Sequence, residues 1–286
     1  YNVIGESGTR RYLVLLQNNT ELRATGGFPG TYAVITFQNG KLQDIKVDDI
    51  YNIDGQMREN IIPPRPLQHI TPNWGMRDAN WFADFPTSAQ KVEDMYRRDG
   101  GAPVDGVLTV TPDVIGGLLD IVGPIAMPEY NKTITADNLV AELQSEVEYG
   151  PNRAQPKTIV TQLEPLLYHR LAQQDKDGWL KVFRVMVEAM REKHLLAYFN
   201  QTKLQQFVLA NNLAGQVRDR PGDYLQVVFS NVKGSKTDAV IDNSFQLAVS
   251  EKDAAHQLKI NRLHNGGDLN YGFYNRTNPT YVRVYV

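Results

Sequence analysis

A glycine-rich loop between two apolar, β-rich runs constrains the fold of this chain more than any other feature. Residues 12–16 and 32–37 read as strands, and the segment between them holds Arg23, Gly26 and Gly27. Glycines let backbone N–H groups converge and an arginine supplies a fork of donors, so the loop could hold a phosphate or carboxylate. A tight strand-to-strand connection, with the arginine paired to a nearby acid, is the alternative. The loop is neither a dinucleotide loop nor a P-loop, because a strand follows it and no Gly-Lys-Ser/Thr ending is present.

Composition excludes several classes of protein. The net charge of −2 offers no electrostatic footprint for nucleic acid, and the absence of cysteine excludes disulfides and thiolate chemistry. No apolar run reaches the roughly 18–20 residues of a membrane span. The sequence begins at Tyr1 rather than at a methionine, which is compatible with a signal peptide or membrane anchor upstream.

The order of the predicted elements favours a two-part α/β chain. Strands are predicted at 12–16, 31–38, 41–47, 104–110 and 195–199, and helices near 87–98, 112–122, 137–148, 157–173, 179–193 and 202–211. We therefore expect an α/β domain over residues 1–200, with a mixed central sheet and helices on both faces. From residue 223 onward the sequence alternates like strands, at 224–229, 239–249, 257–262 and 281–286, so residues 201–286 predict a β-rich C-terminal subdomain.

Three further segments carry candidate chemistry. The first is a loop that combines charged with aromatic residues: Trp74, Arg77, Asp78, Trp81, Phe82, Asp84 and Phe85. It predicts either a groove for a lipid or sugar or a loop that its aromatic rings fix to the core. The second is a strand end with four acidic residues: Asp44, Asp48, Asp49 and Asp54. These carboxylates could bind Mg²⁺, or they could be solvated carboxylates of a turn.

The third segment precedes a helix. Arg153 and Lys157 oppose the dipole at its N-terminus unless an anion or carboxylate lies there, which indicates an anion site. The later polar segment 231–238 could also contact an anion, but a hairpin turn is favoured there.

Several short motifs together resemble a bacterial family called domain of unknown function 4012. They are Gln17-Asn18-Asn19-Thr20-Glu21-Leu22-Arg23, Gly26-Gly27-Phe28, Arg77-Asp78-Ala79-Asn80-Trp81, Asp84-Phe85-Pro86, Asp105-Gly106-Val107 and Gly123-Pro124-Ile125. The resemblance runs over nearly the whole chain and ends with Tyr281-Val282-Arg283-Val284-Tyr285. Members of this family usually carry an N-terminal membrane helix and face outward. The resemblance thus implies an extracytoplasmic, membrane-anchored protein at the cell surface.

The order of elements also resembles, more weakly, the LytR-CpsA-Psr family, which transfers glycopolymers from a polyprenyl-pyrophosphate lipid to the cell wall. By this resemblance Arg23 is the loop arginine, Asp48 or Asp49 is the strand-end acid, and Arg153 falls near the later phosphate-binding arginines. The chain departs from the pattern where Asn19 and Thr31 replace acids. Its carboxylate set for metal-assisted pyrophosphate chemistry is therefore thin.

Together the resemblances imply an exported protein that binds or transfers a polyprenyl-pyrophosphate-linked glycopolymer. If it is an enzyme, a glycopolymer phosphotransferase or pyrophosphatase is expected. The residues implied in catalysis are Arg23, Asp48, Asp49, Arg77 and Asp78, with Asp48 and Asp78 as ligands of Mg²⁺. The residues implied in ligand binding are Gly26, Gly27, Trp81, Phe82, Arg153 and Lys157.

The alternative is a non-catalytic surface protein that binds a glycan or partner protein, or a subunit of an envelope assembly. The partners expected are a lipid-linked glycan or another cell-envelope component, the membrane and other proteins, but not nucleic acid.

Overall fold

A computed structural model describes residues 3–57, 59–152, 155–218, 221–250, 255–267, 269 and 271–286. Its strands are β1 (Thr9–Asn18), β2 (Phe28–Gln38), β3 (Lys41–Asp49), β4 (Gly106–Val110), β5 (Ile125–Met127), β6 (Lys132–Ile134), β7 (Leu195–Phe199), β8 (Gln226–Asn231), β9 (Ile241–Val249), β10 (His256–His264) and β11 (Thr280–Tyr285). Its α-helices are α1 (Ile50–Asp54), α2 (Phe85–Arg98), α3 (Pro112–Val122), α4 (Leu139–Tyr149), α5 (Thr158–Ala172), α6 (Lys176–Arg191) and α7 (Thr202–Ala210).

The central sheet is mixed, as the sequence predicts. Its strand order is β3-β2-β1-β4-β7, in which β1 and β4 are parallel and the other neighbours are antiparallel. The Asn39-Gly40 turn joins β2 to β3, and both residues have positive φ, as a tight hairpin turn requires. The sheet thus places the glycine-rich loop, which connects β1 to β2, at one end of its central strand.

Helices cover both faces of this sheet, which confirms the predicted fold class. Because side chains alternate along a strand, Leu13 and Leu15 of β1 face one way and join a core cluster with α2. Val14 and Leu16 face the other way, toward the layer formed by α3, α4 and α5. A second core cluster holds this helical layer together and includes Leu118, Ile159 and Leu163.

The start of α2 differs from the prediction by a few residues. The sequence predicts Thr87 or Ser88 as the N-cap, whereas the helix begins at Phe85 and Asp84 is the cap. The Asp84 carboxylate accepts from the Thr87 backbone N–H (3.1 Å) and hydroxyl (2.6 Å). An aspartate before a proline at the second helical position satisfies the free N–H groups of the first turn.

The C-terminal part consists of two β-ribbons, β8 with β11 and β9 with β10. The favoured hairpin turn at 231–238 is wrong, because β8 pairs with β11 and not with the strand that follows it. The segment instead folds back onto the glycine-rich loop: Asp238 accepts from the Leu22 N–H (2.9 Å), and the Asn231 N–H donates to the Leu22 carbonyl (2.9 Å). The domain boundary near residue 200 stays a prediction.

Candidate ligand-binding cavity

A cavity of about 950 Å³ lies between the central sheet and the helices on its second face. Its walls are built from aliphatic side chains of both layers. The sheet contributes Val14, Leu16, Ala33, Ile35, Ile45, Val47 and Val110, and the helices contribute Val114, Ile115, Leu118, Leu139, Val140, Leu143, Val147, Val160, Leu163, Leu167 and Leu171. A space of this size and lining suits a largely apolar ligand.

One part of the same cavity is lined by charged residues, and we call it the mouth. It is formed by Glu21, Arg23, Asp49, Tyr51, Arg77, Asp78, Lys157, Lys233 and Lys236. The mouth brings together five separate regions of the chain: the glycine-rich loop, the junction of β3 and α1, the loop before α2, the start of α5, and the segment that follows β8. The cavity therefore has an apolar body and one ionic end.

Two of the predicted arginines meet at one carboxylate in the mouth. The Arg23 Nη2 atom is 3.5 Å from Asp78 Oδ1, and the Arg77 Nε atom is 3.5 Å from Asp78 Oδ2. Arg23 is buried, and its Nη1 atom donates to the backbone carbonyls of Leu22 and Asn231. Arg77 also pairs with Asp54 and donates to the Thr71 hydroxyl (3.0 Å). Both arginines thus connect segments of the mouth, because each pairs with carboxylates or donates to backbone carbonyls and a hydroxyl.

Three lysines complete the cationic part of the mouth. Lys157 donates to Asp49 (2.8 Å) and to the Gly30 carbonyl. Lys236 donates to Glu148 (2.7 Å), and Lys233 donates to the Thr277 hydroxyl (3.0 Å). An ammonium group has three donors, so each of these lysines keeps donors for a further ligand.

Several buried polar atoms without a hydrogen-bond partner belong to residues of this cavity. Within the described part of the chain they include Gln17 Oε1, Arg23 Nε, Asp78 Oδ1 and Gln144 Oε1, and all four residues line the cavity. Buried polar atoms in folded proteins are usually hydrogen-bonded. The mouth therefore has unused hydrogen-bonding capacity.

Burial shifts the titration of three groups at the mouth. It raises the pKa of the Glu21 and Asp78 carboxyls, because a charged carboxylate loses its water, although the neighbouring Arg23 opposes the shift in both. Burial lowers the pKa of the Lys157 ammonium, although Asp49 opposes this shift. Protonation of the two carboxyls would make the mouth more positive.

The donor set does not fit the Mg²⁺ site that the resemblance implies. Among the described residues, no three His, Asp or Glu side chains are arranged to hold a metal ion. Asp78 lies between two guanidinium groups, and Asp48 does not line the cavity. Mg²⁺ stays a prediction from sequence, and no step below uses it.

Asp48 and Asp49 lie on opposite faces of the sheet edge, because neighbouring residues of a strand point in opposite directions. Asp49 lines the mouth. Asp48 lines a second, smaller cavity with Tyr32 and Tyr96, and accepts from Asn52 Nδ2 (2.6 Å). The structure therefore separates the two carboxylates that the sequence places together.

The predicted aromatic and glycine ligands serve the packing of the loops. Trp81 stacks on Tyr281 (ring centroids 5.6 Å apart), and Phe82 packs against the core cluster on the α2 face, so both rings fix their loop to the protein. Gly26 has φ +129°, and a side chain at Gly27 would collide with the backbone of Asn18. None of these four residues lines the cavity. Arg153 lies outside the described residues.

Sequence reasoning missed several mouth residues. Glu21 lies within the first quoted motif, but nothing in that motif indicates that its side chain is buried. Lys233 and Lys236 lie in the polar segment 231–238, for which the sequence favours a hairpin turn. The signal that could have identified them is the presence of two lysines, one on either side of Gly234 and Ser235, in a segment able to contact an anion.

Residues 7–148 match a family model described as "Protein of unknown function (DUF4012)". Over this segment the chain belongs to the DUF4012 family. The family resemblance in the sequence is thereby confirmed over residues 7–148, and beyond them it stays a prediction. The matched segment contains the glycine-rich loop, the loop before α2, helices α1 to α3 and all of α4 except Tyr149. No curated protein matches the chain.

The DUF4012 protein is similar to several solved structures at low sequence identity. Protein gbs0355 from Streptococcus agalactiae is 10% identical, with 73% of this chain and 75% of that chain covered and a TM-score of 0.43. TagV from B. subtilis is 12% identical, with 73% and 80% covered and a TM-score of 0.40. Lin1025 from Listeria innocua is 11% identical, with 88% and 91% covered and a TM-score of 0.34.

Proposed function

We propose that this DUF4012 protein binds an amphiphile that has a long apolar chain and a phosphate or pyrophosphate head group. The sequence resemblances suggest a polyprenyl-pyrophosphate-linked glycopolymer of the cell envelope, held by an exported, membrane-tethered protein. The observation that carries the proposal is a single cavity with an aliphatic body and a mouth that collects two arginines and three lysines.

The apolar chain would occupy the body of the cavity. Its volume of about 950 Å³ is near the upper end of the range for small-molecule sites. Most of the wall residues on both layers are aliphatic, so an apolar chain gains by leaving water in this part of the cavity. A free sugar or nucleotide would leave its hydroxyl groups unpaired in this part of the cavity.

The anionic head group would lie at the mouth. Lys157, Lys233 and Lys236 come from two distant segments and keep free donors, and Arg23 Nε is a buried donor with no partner among the described residues. Several cationic donors from separate segments are the usual way to hold a phosphate. Because acids already pair with most of these cations, we propose binding of the lipid and do not assign a transfer step.

A titration with a short-chain analogue tests the proposal. Farnesyl pyrophosphate in detergent, farnesol and inorganic pyrophosphate are titrated separately by isothermal calorimetry. We expect the complete amphiphile to bind at least about tenfold more tightly than either part, because each part uses only one region of the cavity.

Two kinds of protein variant make this test more specific: one fills the apolar body of the cavity and the other removes a cation from the mouth. Ala33→Phe fills the cavity wall and is expected to abolish binding of the chain, whereas Ala126→Phe, on the exposed middle residue of β5, is the control. Lys236→Gln is expected to weaken binding of farnesyl pyrophosphate but not of farnesol. Unchanged binding to Ala33→Phe, with the variant folded by circular dichroism, would overturn the proposal.

A non-catalytic role in binding another protein is the second candidate, and one feature favours it. The β9–β10 ribbon exposes Phe245, Leu247 and Val249 on one face. An exposed apolar ribbon is a common docking element for another protein. Absence of amphiphile binding, together with a partner that is lost on Phe245→Ser, would favour this role.

A further inference from the structure

We infer that helix α6 docks on the surface of an anionic lipid bilayer. The inference rests on the proposed function only for its purpose, which is to bring the cavity to a membrane-borne ligand. The feature that carries it is an exposed apolar stripe on α6 that is flanked by basic side chains and continues into the wall of the cavity.

The stripe consists of Trp179, Leu180, Phe183 and Val187, all of which are exposed. On a helix with 3.6 residues per turn, these four positions lie within about 100° of the circumference. Trp179 is 50% exposed and Phe183 is 64% exposed, which is unusual for rings of this size. The opposite side of the helix packs against the protein, since Val182 and Val185 contact the core cluster of the helical layer.

Charge around the stripe favours an anionic partner. From Arg170 to Arg191 the sequence has five basic and three acidic side chains, whereas the whole chain has a net charge of −2. Lys181 and Arg184, on α6 itself, are exposed and form no ion pair with any residue that the structure describes. Asp175 is occupied as the N-cap of α6, where it accepts from the Gly178 N–H (2.8 Å), and Glu188 pairs with Arg191.

The stripe is continuous with the cavity. Met186 of α6 lines the cavity, and on the helix circumference it lies about 20° from Trp179. Tyr168 and Leu171, near the end of α5, line the cavity as well, and Tyr168 is exposed. An apolar chain that entered the cavity from a bilayer at α6 would therefore pass Met186, Tyr168 and Leu171.

The chemistry of α6 fits a helix that lies in the plane of the interface. Aromatic and leucine side chains on one face, with lysine and arginine beside them, are the pattern of interfacial helices. At 16 residues the helix is about 24 Å long, and none of the helices in the described ranges is both long and apolar enough to cross a bilayer. A protein partner would not require the unpaired Arg184 beside the stripe, whereas anionic head groups would attract it.

Tryptophan fluorescence tests the inference directly. All three tryptophans are described, and Trp74 and Trp81 are buried, so Trp179 is the one that can report on an exposed surface. We expect a blue shift of emission and co-sedimentation with vesicles of phosphatidylglycerol and phosphatidylcholine. We expect weaker binding to pure phosphatidylcholine and a loss of binding at high salt.

Matched variants separate docking from non-specific adhesion. Phe183→Ser with Leu180→Ser is expected to weaken vesicle binding by about tenfold or more, because two side chains lose their burial in lipid. Leu263→Ser removes a 62% exposed side chain from β10 and is expected to change nothing. Lys181→Gln with Arg184→Gln is expected to reduce binding to anionic vesicles only.

The outcomes distinguish this inference from the proposed function. Ala33→Phe should bind vesicles normally even when it no longer binds farnesyl pyrophosphate in detergent, and the α6 variants should bind farnesyl pyrophosphate normally in detergent. No blue shift with anionic vesicles would overturn the inference. Self-association in solution that is abolished by Phe183→Ser, without vesicle binding, would also overturn it and assign the stripe to a second copy of the chain.

Discussion

At the scale of single residues, the buried acids of the mouth control its charge. Burial raises the pKa of the Glu21 and Asp78 carboxyls, so each loses its negative charge at a higher pH than an exposed carboxyl does. The mouth then attracts a phosphate more strongly as the pH falls. Glu21 is the better residue to test, because Asp78 bridges two arginines and its removal would leave both unpaired.

We predict that Glu21→Gln binds farnesyl pyrophosphate about three- to tenfold more tightly than the native protein at high pH, because one negative charge is removed beside the head group. The advantage should vanish as the pH falls and the native Glu21 becomes protonated. Calorimetry of both proteins at each pH cancels the titration of the ligand itself. An affinity ratio that does not change with pH would contradict the assignment of Glu21 to the mouth.

Asp99, at the end of α2, is a second buried acid and affects stability. Burial, with a contribution from the charge of Asp54, raises the pKa of its carboxyl to about 6, and neither of its oxygens has a hydrogen-bond partner among the described residues. Because this pKa in the folded state is above the ordinary value of 3.8, the folded state is penalised once the carboxyl ionises. The penalty is absent below the ordinary pKa and complete above the raised one.

We therefore predict that Asp99→Asn gains stability relative to the native protein as the pH rises from about 4 to about 7. The change in the difference between their free energies of unfolding should be about 1 to 3 kcal/mol. Urea denaturation at the two pH values measures it. Asp223→Asn, at an exposed position, is the control, and a difference that is constant with pH would refute the prediction.

At the scale of elements, the N-cap of α2 does more than begin the helix. Asp84 caps the first turn and also accepts from the Val217 N–H (3.0 Å), which follows α7 in the chain. Asp175 caps α6 with a hydrogen bond to Gly178 (2.8 Å) and no comparable contact to another segment is described. The two aspartates form a matched pair in which one has an additional long-range contact.

We predict that Asp84→Ala costs about 2 to 3 kcal/mol of stability, whereas Asp175→Ala costs about 1 kcal/mol, because the first change also leaves the Val217 N–H without its acceptor. Chemical denaturation of both variants provides the comparison. Equal losses would mean that the contact to Val217 contributes nothing.

At the scale of the whole molecule, the C-terminal part completes the mouth. The Asn231 side chain donates to the Ser235 carbonyl (2.7 Å) and to Asp238 (2.8 Å). It also accepts from the N–H groups of Lys233 (3.1 Å) and Gly234 (3.2 Å). These bonds shape the segment that brings Lys233 and Lys236 to the cavity.

We predict that Asn231→Ala costs about 2 to 4 kcal/mol of stability and weakens the binding of farnesyl pyrophosphate, because four hydrogen bonds within a buried segment are lost together. Asn265→Ala, which removes a surface hydrogen bond to Asp242 (2.8 Å), should cost less than about 1 kcal/mol and leave binding unchanged. Normal binding by a folded Asn231→Ala variant would show that the segment is not part of the mouth.

The sequence by itself determined most of the elements and their order, but not the short α1, β5 and β6. Alternation in β1 and β2, the Asn39-Gly40 turn and the helical spacing of α3, α5 and α6 are local patterns, and the strands and helices lie close to where these patterns predict them. The family was also readable from short motifs in the first half of the chain. Arg23, Asp49, Arg77, Asp78 and Lys157, all predicted as site residues, do line one cavity.

Only the tertiary structure decided which side chains share the mouth. Asp48 and Asp49 are neighbours in the sequence but face different cavities, because the exact register of β3 selects the face of each. Glu21 and Lys236 meet although more than two hundred residues separate them, because the segment after β8 folds back onto the glycine-rich loop. Local patterns fix periodicity, whereas contacts between distant segments depend on how the layers pack.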